Sequence, residues 1–289
     1  MDKETIYYDQ GDWLRRSYWI AYNGFNLGRR SRRFVVEAGD RRREIASLTA
    51  YLLVLDGCRR ISTSALSLAS EDNVTIALIL KDRMVWFTGM LQRKHVELIL
   101  TQYSTSRAKE IASCIREAFN HNLYAFFSRL NLPFEAEGGL GKVRVNALKL
   151  LSRYLRVDLS LIESVIQYLS YFIEAECLDA VVRAGLTPHI GFVNKRSLTR
   201  DFLLVFEPST VWRCLVEVGS DILSSIDLGS YEGRRLLLKY LRSIVERSVE
   251  DTDGRRMPLF KHIKAAAKGL ASYLMNPAGG FIPFKEAVY

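Results

Sequence analysis

The sequence predicts an α+β chain of two domains, a small N-terminal β-domain over 1–104 and a larger all-α domain over 105–289. Three observations predict it. Short aromatic or β-branched runs broken by glycine fill the first hundred residues, the pattern of strands and turns. From Ser106 onward, apolar residues recur at helical spacing instead. A length of 289 residues suits two domains on a prior of about 100–200 residues each.

Tyr18–Ala21 and Phe34–Val36 read as short strands, with Gly24, Gly28 and Gly39 as punctuation. Tyr51–Leu55 is a buried strand closed by Asp56-Gly57, a tight-turn dipeptide. From Ser62 to Ala69, Ala65, Leu66, Leu68 and Ala69 take the spacing of one short helix, capped by Ser62 or Thr63. Val74–Leu80 and Met84–Phe87 flank Lys81-Asp82-Arg83 as a hairpin. Ile111, Ile115, Ala118, Phe119 and Leu123 mark the first long helix, and Glu135–Gly141 is a glycine-rich loop. Further helices are expected at about 144–155, 160–183, 202–218, 230–249 and 258–275, before Pro277, Gly279 and Gly280.

Composition narrows the function classes. Hydrophobic content of 48% and charged content of 25% argue for a globular chain. The longest apolar runs, such as Tyr51–Leu55 and Phe202–Phe206, fall far short of the roughly 20 residues a membrane span needs. The start, Met1-Asp2-Lys3-Glu4, lacks the apolar core of a signal peptide. Cys58, Cys114, Cys177 and Cys214 are scattered, so no zinc ribbon or disulfide framework is readable. A soluble cytoplasmic protein is the expectation. The net charge is +9, carried by 29 arginines and 12 lysines. Arginine grips phosphate with two parallel hydrogen bonds, which points to a polyanion such as nucleic acid. The arginine clusters Arg15-Arg16, Arg29-Arg30, Arg32-Arg33, Arg41-Arg42-Arg43 and Arg59-Arg60 fall at expected strand ends. They suit either a phosphate-binding surface or solvated loops that discourage edge pairing.

The helix at 160–183 has an apolar stripe of Ile162, Val165, Ile166, Leu169, Ile173, Cys177 and Ala180, and a polar stripe of Glu163, Gln167, Ser170 and Glu174. Glu176 falls beside or within the apolar stripe, as a carboxylate with a chemical role or one with an arginine partner. Gly185 is placed to end this helix. The loop that follows holds His189 and the cations Lys195, Arg196 and Arg200, and Asp201 is a candidate cap of the next helix.

These residues carry a resemblance. Ala184-Gly185-Leu186-Thr187-Pro188, Gly191-Phe192-Val193-Asn194, Ser197-Leu198-Thr199-Arg200-Asp201 and Phe206-Glu207-Pro208 follow one another as the motifs A-G-L-x-P, G-[FY]-x-H and S-L-x-x-D-[LI]-x-[ED]-x-F-R-P do. Upstream, Leu53-Val54-Leu55-Asp56-Gly57 and Ile61–Leu66 match a strand–turn–helix signature. The chain thus resembles the CRISPR-associated spacer integrase (CRISPR-associated protein one). The resemblance implies a dimer formed through the β-domain and metal-dependent transesterification on branched or splayed duplex DNA. Mg²⁺ or Mn²⁺ would activate a 3′-hydroxyl that attacks a phosphodiester. It also implies a small partner, CRISPR-associated protein two. Glu137 is the best match to the first metal ligand, although it also reads as a solvated loop carboxylate. Asn194 stands where a histidine is expected, Asp201 at the first acid and Leu204 at the second. Glu207 replaces an arginine. The implied metal set is Glu137, Asn194 and Asp201, with Glu137 and Asp201 catalytic and Lys195, Arg196 and Arg200 on DNA. Two readings stay open: an integrase or nuclease with an altered, weakened metal site, and an inactive relative kept for assembly or DNA binding.

Overall fold

A computed structural model of the protein describes residues 15–81, 83–89 and 95–288. Met1–Glu4 and Asp82, on which the sequence reading touched, lie outside them. The strands are β1 (Arg16–Arg30), β2 (Arg33–Ala38), β3 (Arg41–Ala46), β4 (Ala50–Ile61), β5 (Thr75–Ile79), β6 (Met84–Thr88), β7 (Ser248–Glu250) and β8 (Arg256–Pro258). The helices are α1 (Thr63–Glu71), α2 (Val96–Ser104), α3 (Ala108–Arg129), α4 (Leu140–Leu155), α5 (Leu159–Arg183), α6 (Leu198–Phe206), α7 (Arg213–Val218), α8 (Ser220–Ser225), α9 (Tyr231–Glu246) and α10 (Leu259–Met275). An N-terminal β-domain followed by a helical region is the predicted fold class, and it is the one observed. The chain forms two compact units: Met1–Leu91 with Asp227–Lys239, and Gln92–Ile226 with Tyr240–Tyr289.

The first unit is built on one six-stranded mixed sheet in the order β3-β2-β1-β4-β5-β6. β4 lies parallel to both neighbours, with Tyr18 opposite Leu53 and Leu53 opposite Ile76. Ala50–Leu55 is therefore buried on both faces, which explains why it reads as a continuous apolar run. Parallel strands need a crossover, and α1 supplies it between β4 and β5. Ser62 caps α1 by accepting the Ala65 N–H at 3.1 Å. The predicted β5–β6 hairpin forms, with the Leu80 N–H donating to the Arg83 carbonyl at 2.8 Å.

Asp56-Gly57, expected to end a strand, instead lies inside β4. With no antiparallel partner to turn toward, the dipeptide makes a bulge, and the β1–β4 register shifts between Ala21 and Phe25. Gly57 has φ +83°, and a Cβ there would sit 2.0 Å from the Tyr22 carbonyl oxygen, so only glycine fits. Arg41-Arg42-Arg43 makes up the first half of the edge strand β3. Many of the sheet's arginines face acids: Arg29 forks onto Glu71 at 2.8 and 3.0 Å, Arg32 meets Asp72, and Arg30, Arg33 and Arg42 share Glu44. Within the same unit Arg234 reaches Asp56 at 3.2 Å and Asn23 at 2.6 Å, and Tyr231 stacks on Tyr22 at 5.4 Å.

The second unit packs α4, α6 and α10 against α5, and α3 against α6. From Leu169 to Val182, α5 is buried all round. The polar stripe read from its sequence therefore faces solvent only in its first half: Glu163 and Gln167 are exposed, whereas Ser170 and Glu174 are buried and hydrogen-bonded. Helical structure starts earlier than Ser106, at Val96. The single helix expected at 202–218 begins at Leu198 and is interrupted after Phe206. Pro208 has no N–H to continue the ladder, and the chain passes through one π-helical stretch, Pro208–Trp212, in which the Trp212 N–H donates to the Glu207 carbonyl at 3.2 Å. The helix expected to 249 ends at Glu246, and β7 and β8 form a short hairpin instead.

Residues 281–287 form a strap across this unit. Buried Asn122 of α3 donates to the carbonyls of Val205 and Phe284 at 2.9 and 3.1 Å and accepts the Glu286 N–H at 2.8 Å. The Glu286 carboxylate meets Arg129 at 2.6 Å and Arg213 at 3.3 Å. Among the described residues, no helix is long and apolar enough to cross a membrane.

Candidate functional site

The site is a loop, residues 185–197, held between α5 and α6. As read from the sequence, Gly185 ends α5: at φ +83° its N–H donates to the Val182 carbonyl at 3.0 Å, and the Leu186 N–H to that of Val181 at 3.1 Å. A Cβ on Gly185 would lie 2.5 Å from the His95 ring. Gln102 of α2 clamps the next turn. Its amide nitrogen donates to the Thr187 and Ile190 carbonyls at 3.0 and 2.7 Å, and its oxygen accepts the Thr187 N–H at 2.9 Å. Sequence reasoning missed Gln102, because a glutamine in an apolar run carries no motif.

Asp201 organises the rest. Its Oδ2 accepts the N–H groups of Phe192 and Val193 at 2.6 and 3.0 Å. Its Oδ1 accepts the backbone N–H of Asn194 at 2.7 Å and the Asn194 side-chain amide at 2.9 Å. The side chain is fully buried. Burial pushes the Asp201 carboxyl above its ordinary range, against the pull of the Asn194, Phe192 and Val193 backbone N–H groups. Gly191 is obligatory here, since a Cβ would lie 2.2 Å from the Asn194 carbonyl oxygen and 2.8 Å from Asp201 Oδ2. Asp201 does not cap α6. Ser197 does, accepting the Arg200 N–H at 3.2 Å, and Asp201 sits four residues later, turned back to the loop.

Two further carboxylates flank the loop. Glu174 of α5 accepts from Thr199 Oγ1 at 3.4 Å and faces Arg200 Nε at 3.5 Å. Burial raises its pKa, with Arg200 opposing. Glu207, past the end of α6, is 1% exposed and receives both arms of Arg144 from α4, at 2.6 and 2.9 Å, and Ser170 Oγ at 3.0 Å. The resemblance placed an arginine at position 207; here the charge is reversed and its partner on α4 is a cation. No sequence motif announced Arg144.

The structure thus brings Asn194 and Asp201 together. Glu137 lies on the exposed loop before α4, where its N–H donates to the Glu135 carbonyl at 3.1 Å. Lys195, Arg196 and Arg200 are exposed, and Leu204 is half-buried. Glu176 is buried within α5. Among the described residues, no three His, Cys, Asp or Glu side chains are grouped so as to hold a metal ion.

No protein-family model and no curated protein matches the chain. Solved structures do match its fold. A casposase bound to integration product aligns with a TM-score of 0.72 at 14% identity, over 92% of this chain and 92% of that one. A CAS1 protein from Thermotoga maritima aligns at 0.70 and 15% identity, over 90% of this chain and 97% of that one. A Cas6-RT-Cas1–Cas2 complex aligns at 0.72 and 12% identity over 99% of this chain, which spans 37% of that longer chain. The two units therefore carry the Cas1 fold.

Proposed function

We propose that the protein is a DNA-binding member of the Cas1 spacer-integrase family, working in CRISPR adaptation as a subunit that does not itself catalyse integration. One observation carries this reading: the acceptor capacity of the Asp201 carboxylate is taken up by its own loop. A carboxylate offers about four acceptor sites, and four N–H donors occupy them. A divalent ion would have to displace those donors. Asn194 turns its amide N–H to the same carboxylate, and Leu204 offers no ligand atom. The residues at the matched positions therefore do not suit Mg²⁺ or Mn²⁺, and no catalytic step is assigned to them. Glu137, the remaining matched acid, is a solvated loop residue in this reading.

DNA binding rests on the fold, the arginine-rich charge and the exposed cations Lys195, Arg196 and Arg200 at the loop. The casposase neighbour, solved with an integration product, supports it. The partners proposed are a second copy of the chain and a Cas2-type protein, the latter supported by the Cas1–Cas2 neighbour. The test is strand transfer and disintegration of branched DNA with Mn²⁺ and then Mg²⁺, alongside a binding measurement on the same DNA. The expected result is binding without turnover in the wild type, and no change in Glu137→Ala. Turnover that appears only in Asn194→His/Leu204→Asp would support the reading strongly. Robust wild-type activity abolished by Glu137→Ala would overturn it, and establish the altered-metal-site integrase instead.

A further inference from the structure

The helix α4 differs in composition from α3 and α5, which precede and follow it. Its sixteen residues, Leu140–Leu155, contain Lys142, Arg144, Lys149 and Arg153 and no acid. At 100° per residue, Lys142, Lys149 and Arg153 fall within an arc of about 40°, and Arg144 lies on the far side. The buried residues Val143, Ala147, Leu148, Leu151 and Leu155 occupy that far side, so the three cations share the exposed face. Arg156 extends the row at the helix cap, exposed and in left-handed conformation. Arg144 is the one α4 cation engaged by an acid, Glu207. Lys142, Lys149, Arg153 and Arg156 have no ion-pair partner among the described residues. Asp158, the next acid along the chain, is taken by Ser160. Lys149 and Arg153 are four residues apart, a like-charge spacing that weakens a helix slightly. Unlike the sheet's arginines, then, this row repels itself and is not balanced from within the fold.

We infer that the exposed face of α4 is a binding surface for the phosphate backbone of duplex DNA, a contact that positions nucleic acid without reading its sequence. The inference rests on the DNA-binding function proposed above and names a surface for it. From Lys142 to Arg153 the row spans about 17 Å, long enough to follow a backbone across several phosphates. Each phosphate contact adds about 0.9 to the slope of log K against log salt.

The experiment measures affinity for a branched duplex between 50 and 200 mM salt. It compares wild type, Lys142→Gln/Lys149→Gln/Arg153→Gln, and a control that removes equal charge elsewhere, Lys109→Gln/Arg116→Gln/Lys268→Gln. Glutamine preserves helix propensity, and circular dichroism checks folding. The α4 variant is expected to lose about 2.7 units of slope, so the wild type alone loses a further factor of roughly 40 across that salt range. The control should keep the wild-type slope. An α4 variant that binds as the wild type does, while the wild type binds well, would overturn the surface and leave the proposed function standing. Absence of wild-type binding at low salt would remove both. If the α4 variant keeps its DNA affinity but loses binding to vesicles of phosphatidylcholine with phosphatidylserine, the face serves a membrane and the inference is wrong.

Discussion

At its start α6 holds Asp201 against four N–H donors of the preceding loop, whereas just past its end Glu207 lies against the Arg144 guanidinium. Both carboxylates are buried, and both are satisfied by groups of the protein itself. The first is neutralised by dipoles that belong to the loop it orders. The second is neutralised by a full charge on another helix. In the first case the carboxylate shapes a surface; in the second it ties α4 to α5 and α6. Asp201 accepts four N–H donors and Glu207 three donors, two from Arg144 and one from Ser170.

Removing the first carboxylate should have the largest effect. Asp201→Ala orphans three backbone N–H groups, each worth about 1–3 kcal/mol when left unpaired, and urea denaturation should show a loss of about 3–5 kcal/mol. A loss below about 1 kcal/mol would mean that the loop is held mainly by Gln102. The second carboxylate should matter less, since the Arg144 side chain is 37% exposed and its pairing with Glu207 is screened. Arg144→Met should cost about 1–2 kcal/mol, and Arg144→Met/Glu207→Leu should recover most of it, the pattern of a pair whose single members are stranded when broken. Additive losses in that cycle would erase the contrast between the two ends of α6. The smallest effect falls on Glu174. Its folded pKa is raised by burial, so the folded state binds its proton more readily than the unfolded chain. Stability contributed by protonation is present at acid pH and is lost as pH rises from the ordinary glutamate range through the folded pKa. Glu174→Gln should therefore raise the melting temperature slightly at neutral pH and flatten this part of the profile. A lower melting temperature would show that the contact with Arg200 outweighs the burial.

The contrast also explains what could be read in advance. β4, β5, α3 and α10 were legible because burial on one or two faces writes a run or a period into the sequence. Ser62 and Gly185 were legible because capping and left-handed backbone demand few residue types. β3 was not, since three arginines and a glutamate at an edge leave no apolar alternation. The polar stripe of α5 misled over its second half for the opposite reason: from Leu169 onward the helix is surrounded and has no solvent face, so Ser170 and Glu174 mark partners, not exposure. At the site, the order of motifs singled out the loop in which Asn194 and Asp201 meet. It did not reveal which acceptor sites remain open, because that depends on where the backbone N–H groups of residues 192–194 point.

The strap at 281–287 bears on how the chain folds as it is made. Asn122 on α3 and the residues that satisfy it are separated by up to 164 positions. At about 5–20 residues per second, the ribosome would supply Glu286 some 8–33 seconds after Asn122. Val205 is made midway through that interval, so until Phe284 and Glu286 follow the Asn122 amide has at most one of its three partners, and Arg129 and Arg213 lack their common carboxylate. The strap thus joins the helical unit only after the helices of that unit have been made, and a chaperone that shelters nascent chains would have this interval in which to act.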